Sequence, residues 1–179
     1  MNADHILHYW FDELQPRDWW RKDAELDRAI ARRFGDTHRA AARGELFAWR
    51  DHPRGRLAEI IVLDQFSRQI HRDTPDAYAC DGMALVLAQE ALRAGADQAL
   101  QGAERAFLYM PFMHAESLAM QDISVRLFDQ PGLEGNLRFA LAHRDIIVRF
   151  GRYPHRNAVL GRASTAEELD FLQQPGSSF

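Results

Sequence analysis

One cysteine, Cys80, stands in 179 residues, so no internal disulfide can form, and a reducing compartment fits. Long apolar runs are missing too: nothing approaches the roughly 20 residues of a membrane helix. The start, "MNADHILHYWFDEL", lacks a basic segment followed by an apolar one and does not read as a signal peptide. There is no basic excess. The net charge is -4 and the pI is about 6.0, which argues against nucleic acid as a partner. Those four absences make a cytoplasmic protein, bound to neither membrane nor nucleic acid, the expectation.

The catalytic and metal signatures with fixed spacing are absent as well. The chain has no H-E-x-x-H, C-x-x-C or EF-hand pattern, no G-x-S-x-G elbow and no phosphate loop. Cys80 lies beside Asp81, the wrong setting for a reactive thiolate. His114 and Glu116, two apart on one expected helix, point to different sides and make poor co-ligands. No metal site is expected, and no cofactor is indicated.

What the chain does have is helix-forming sequence. Strand-like alternation is not sustained, and Ala, Leu, Arg and Glu are plentiful. Helical segments are expected at about 3–13, 22–43, 45–51, 54–71, 75–94, 103–110, 112–129, 134–150 and 165–173. Pro53, Pro75, Pro111 and Pro131 punctuate them, with Gly95, Gly102 and Gly151 as stops. "STAEE" carries the capping-box pattern, Ser164 or Thr165 followed three residues on by Glu167 or Glu168. One domain over 1–174, with a flexible tail at 175–179, follows from the length and from the "QQPGSSF" end. The early aromatics Trp10, Phe11, Trp19, Trp20 and Trp49 read as helix-packing core, or as an aromatic groove.

Function enters through charges that fall on apolar helix faces. Successive helical side chains turn by about 100°. On that phase the stripe Leu57, Ile60, Ile61 runs on into Asp64, Arg68 and His71, and Asp64 can pair with Arg68 four residues later. Asp81 falls within the stripe Ala77, Ala84, Leu85, Ala88, Leu92. Glu116 falls within Phe112, Ala119, Met120, Ile123, Leu127. Arg144 falls within Leu137, Ala140, Leu141, Ile147, Val148, with His143 beside it. Inward charges must find partners, and Arg68 and Arg144 are the expected partners of Asp64, Asp81 and Glu116. Asp145 and Arg149 fall on a more polar side and read as a surface pair. The loop "FGRYPHRN" then brings Arg152, His155, Arg156 and Asn157 towards the same acids.

Three functions fit this pattern. The cluster can line a pocket for a small anionic ligand, a carboxylate or a phosphate compound, which the planar arginine fork suits. It can clamp a peptide in a groove between helices. It can be purely structural, as charge interlocks. The candidate ligand contacts are Asp64, Arg68, His71, Asp81, His114, Glu116, His143, Arg144, Arg152, His155, Arg156 and Asn157. Of these, the first reading is preferred. If the protein is an enzyme, Glu116 or Asp64 is the expected acid–base group, since close carboxylates push one pKa up.

The blocks "LDQFSRQIHR" (63–72), "ERAFLYMPFMHAES" (104–117) and "HRDIIVRFGRYPHRNAVLGRASTAEELDFL" (143–172) resemble the signature of a bacterial family catalogued as domain of unknown function 924. The resemblance spans nearly the whole chain. It implies an all-α fold, with antiparallel helix pairs in a tetratricopeptide-repeat-like right-handed stack, and no established activity. The family pattern usually has Pro where this chain has Ser67, and Ser where it has Ala115. Neither difference removes an ionisable group, although a serine hydroxyl at 115 plays no part here.

Overall fold

The computed structural model describes residues 1–178. Its centre is one helix: α3, Pro53–Ile61, continues through a π turn, Val62–Phe66, into α4, Ser67–Ile70. Pro53 suits the first turn, where its missing N–H has no partner to lose. From Leu57 to Ser67 every residue is buried. Helices are surrounded in this way when they are apolar on all sides. Around this axis lie α1, Ala3–His8; α2, Ala24–Ala42; α5, Asp81–Arg93; and α6, Gly102–His114. α7, Leu118–Phe128, packs on α6, and α8, Glu134–Phe150, packs on α7. α9, Ala166–Leu172, closes the chain. No strand occurs among the described residues.

The main core runs from Ile6, Leu7 and Trp10 through Ile30, Phe34 and Leu57–Phe66 to Phe107, Phe112 and Phe128. Trp10, Phe11 and Trp19 all belong to it: Trp10 stacks on Trp19, Phe11 meets Trp19 edge-on, and both tryptophans meet Phe107 edge-on. A small second cluster, Ile146, Ile147 and Tyr153 with Phe150 and Phe171, holds the C-terminal turn against α8. The capping box at α9 is formed as the pattern implies, Thr165 with Glu168.

A central helix buried on every face must neutralise its own charges. Glu59, wholly buried, receives two hydrogen bonds of 2.7 Å from Arg50. One glycine is equally constrained. A Cβ at Gly55 would sit 1.9 Å from the carbonyl oxygen of Trp49, because the 3-10 turn Phe47–Asp51 presses directly on α3. The contact is with backbone and does not yield as a side chain would. Gly55→Ala is expected to lower unfolding free energy by about 2 kcal/mol or more, read as the shift in a urea midpoint. An unchanged midpoint would contradict this close approach.

Three sequence expectations change. Pro111 does not end a helix. α6 runs through it to His114, and the break falls at Ala115–Ser117, where Ala115 and Ser117 are extended. Side chains hold this break open. Gln121 Nε2 lies 2.8 Å from the Met113 carbonyl and 2.7 Å from that of Ala115, and the Tyr153 hydroxyl donates to Met113 at 2.5 Å. Those are carbonyls that a helix end leaves unpaired. The second change is in α8, whose inward face is Ala140, His143, Ile146 and Ile147, while Phe139, Leu141 and Val148 are exposed. The third concerns Arg149, which pairs with Glu167 at 2.8 Å rather than with Asp145. In the 175–179 tail, Phe179 lies outside the described residues. Ser177 folds back, buried, and its hydroxyl donates to the Leu172 carbonyl at 3.2 Å.

Candidate functional site

Three interruptions of the helical chain meet at one place. They are the turn leading into α5, the break between α6 and α7, and the loop after α8. Between them lies a cleft of about 430 Å³, walled by Tyr78 and Asp81 from the first, His114, Glu116 and Ser117 from the second, and Arg156 and Leu160 from the third. Such a volume falls in the range of small-molecule sites.

Asp64 sits behind the cleft, 1% exposed, in the π turn of the central helix. Such turns recur at functional sites. Its Oδ1 lies 2.6 Å from His114 Nδ1 and 3.2 Å from an Arg68 nitrogen, and its Oδ2 accepts from Gln65 at 2.5 Å. Burial alone would raise the Asp64 pKa. Arg68 and His114 outweigh it, so the carboxyl is held well below the usual carboxylate range. Arg68 spans the gap to α5, donating to both Asp81 oxygens at 3.0 and 3.1 Å.

Arg156 reaches the same Asp81 from the opposite wall, Nη1 to Oδ2 at 3.2 Å. Its guanidinium is sandwiched between the Tyr78 and Tyr153 rings, 4.6 Å from each. Burial, then the neighbouring Arg68, pushes its pKa down from the ordinary arginine value. Its Nε–H is buried without an acceptor.

Glu116 is anchored differently. It takes two hydrogen bonds from Arg162, at 2.6 and 2.9 Å, and one from the Tyr153 backbone N–H at 2.7 Å. Burial works against its ionisation, but the Arg162 and Tyr153 hydrogen bonds prevail and lower its pKa. Asn157 in turn accepts from Arg162 Nε at 3.0 Å, which fixes that arginine.

Of the twelve expected contacts, six meet at or behind the cleft: Asp64, Arg68, Asp81, His114, Glu116 and Arg156. Others stand back from it. His143 lies behind His114, ring centroids 6.4 Å apart, with Nδ1 2.8 Å from the Phe139 carbonyl. His155 stacks beside Tyr153. Arg152 is tied to Glu168 at 2.7 and 2.8 Å. Two candidates are corrected. Arg144, half-exposed, pairs with Asp122 at 2.7 Å, because α8 is turned so that His143 and not Arg144 points inward. His71 lies past the end of α4 and stacks on His38 of α2, centroids 5.2 Å apart. Neither Glu116 nor Asp64 is a carboxylic acid with a raised pKa, since each is paired with a cation. The sequence reading missed Arg162, Tyr78, Tyr153 and Gln121. The only available signal was arithmetic: Glu116 needed a cation, and with Arg144 turned away the same block still offered Arg149, Arg152, Arg156 and Arg162, with no local pattern to choose among them.

Among the described residues no group of three or more His, Cys, Asp or Glu side chains is arranged to hold a metal ion, and no helix is long and apolar enough to cross a membrane.

The fold and site define an all-helical protein with a small cleft, mostly apolar and edged by charged side chains, where its helix ends converge. The chain belongs to the family of bacterial proteins of unknown function catalogued as DUF924, whose model matches residues 6–176. It is similar over 96% of both chains, with 43% identity and a TM-score of 0.91, to the solved structure of a protein of unknown function from Agrobacterium tumefaciens. A search of curated proteins found no match.

Proposed function

We infer that the cleft binds a small anionic ligand, a carboxylate or phosphate compound, with Arg156 as its anchor. The supporting observation is the state of that side chain. It is only 7% exposed, it lines the cleft, and its Nε–H lacks an acceptor. A buried charged donor left short of partners is costly, and a ligand oxygen at the part of the guanidinium that lines the cleft would add to its one 3.2 Å hydrogen bond with Asp81. The tyrosine rings hold the guanidinium plane in place, which lowers the ordering cost of binding. The apolar walls Pro75, Leu85 and Leu160 would cover the body of a small molecule.

The other two arginines have a different task. Arg68 is fully engaged with Asp64 and Asp81, and Arg162 with Glu116. These pairs join residues 13 and 46 apart in sequence, so they act as interlocks that fix the cleft walls.

Thermal melting with inorganic phosphate, acetate and a panel of small mono- and dicarboxylates tests the reading. A ligand at about 100 times its Kd stabilises by about 2.7 kcal/mol, or roughly 5–10 °C for a chain of this length. Arg156→Gln should abolish the shift. No shift across the panel, or an equal shift in the variant, would refute the anchor.

A further inference from the structure

We propose that His114 is a general base in this cleft, held in its working tautomer by Asp64, and that its substrate is a small carboxylate with an acidic C–H beside a carbonyl, a 2-oxo acid in the simplest case. The proposal rests on the anion-binding reading above.

The geometry of the His114–Asp64 pair carries it. His114 ends α6 and lines the cleft, while the Asp64 carboxylate behind it is buried. An ionised carboxylate only accepts hydrogen bonds. At 2.6 Å from Asp64 Oδ1, His114 Nδ1 must therefore carry the proton. The lone pair of the neutral ring is then on Nε2, at the opposite edge of the imidazole. That is the arrangement in which a carboxylate orients a histidine and stabilises the imidazolium formed when it takes a proton. Asp64 is itself fixed by Gln65 and Arg68, so the ring has little freedom to swing away.

The remaining groups narrow the chemistry. No activated nucleophile accompanies the pair. The Cys80 thiol is pushed up by burial and does not line the cleft, and His114 is bonded to Asp64 and not to a hydroxyl. Covalent acyl transfer would need an activated side-chain nucleophile besides the base. Proton exchange on a carbon acid needs only a base and a cation for the oxyanion, and Arg156 supplies the cation from another wall of the same cleft. The step balances with those groups alone. His114 Nε2 takes the proton from the carbon. The C–H electron pair becomes the C=C bond of the enolate as the carbonyl π pair moves onto oxygen, where the Arg156 guanidinium receives the charge. Return of the proton from the imidazolium restores substrate and base. In D2O the returning proton is exchanged for deuterium. His114 is the catalytic residue and Asp64 a positioning residue.

The experiment is proton NMR in D2O on the intact chain with pyruvate, 2-oxobutyrate and 2-oxoglutarate, following loss of the C3 proton signal. Melting temperatures are measured with the same compounds. At least one compound should both raise the melting temperature and exchange faster than in a protein-free blank. His114→Gln should slow exchange about 100-fold or more while the melting shift persists. Asp64→Asn, which keeps the side-chain shape, should lower the maximal rate by a similar factor with the half-saturating concentration unchanged. It serves as the second probe if His114→Gln does not fold. A melting shift without exchange overturns the base and leaves anion binding standing. Exchange undiminished in either variant also overturns it. Neither shift nor exchange overturns both readings.

Discussion

Acidification from pH 7 to about 4.5 is expected to unfold this protein. Three histidines drive the effect, His38 and His143 buried and His155 half-buried. Burial holds His143 at about 3 and His38 and His155 at about 4, all below the 6.5 of an exposed ring. Neighbouring charges add to this: His114 beside His143, Arg156 beside His155, and His71 beside His38. Their contribution to stability is complete above about pH 6.5. Below it the unfolded chain binds protons that the folded chain refuses, so stability falls as pH falls and levels off only as each ring reaches its folded-state value. The slope is about 1.4 kcal/mol per pH unit for each ring. His143 and His155 alone then remove roughly 5 kcal/mol over two units, a large part of the about 5–15 kcal/mol that a domain possesses. The carboxylates of Asp64 and Glu116, whose pKa values are lowered, extend the loss below pH 4.

Circular-dichroism melts from pH 8 to pH 4 check this. The melting temperature should be flat above pH 7 and fall steeply below pH 6. His143→Gln should make the acid limb shallower by about one ring's share. A melting temperature unchanged between pH 7 and pH 5 would contradict the burial of these rings.

The same residues show where sequence reasoning holds and where it fails. Helix phase located Asp64, Arg68 and Asp81 because their neighbours are strongly apolar and leave one plausible face. It failed on α8 because that helix carries apolar residues on two faces. Leu141 and Val148 look like core, yet both are exposed, and the rotation that exposes them also turns Arg144 outward to Asp122. Pro111 looked like a stop, since its ring removes a helical N–H. The real stop comes from Gln121 and Tyr153, which bind the last carbonyls of α6 from α7 and from the loop after α8. No local pattern announces a cap supplied from 40 residues further on. Glu116 was placed on a helix and lies in a break, yet it still reaches the cleft. The "FGRYPHRN" loop divides its donors. Arg156 faces the cleft, whereas Arg152 fastens α9 through Glu168, a split that depends on the direction of the chain after Tyr153.

Asp64→Leu is expected to cost about 3–5 kcal/mol, the penalty for stripping a buried ion pair of one partner, or roughly 10 °C in melting temperature. The carboxylate is wholly enclosed, and its removal leaves His114 Nδ1 without an acceptor and Arg68 short of one counter-charge. His114→Gln should cost less, because Asp64 keeps Arg68 and Gln65. The contrast separates loss of charge from loss of a hydrogen bond. A double-mutant cycle sharpens it. In Arg68→Met, Asp64 loses its full counter-charge, while Asp81 retains Arg156 at 3.2 Å. In the double variant Asp64→Leu/Arg68→Met neither charge is left alone, and two apolar chains fill the space. The pair should therefore lose at least about 1 kcal/mol less than the sum of the single losses, against the few tenths at which distant sites add. Urea denaturation of the four proteins at pH 7 measures this. Additive losses would mean that Arg68 is held by Asp81 alone. Asp64 would then serve only to orient His114, and the central helix would carry a buried carboxylate for the sake of that one imidazole.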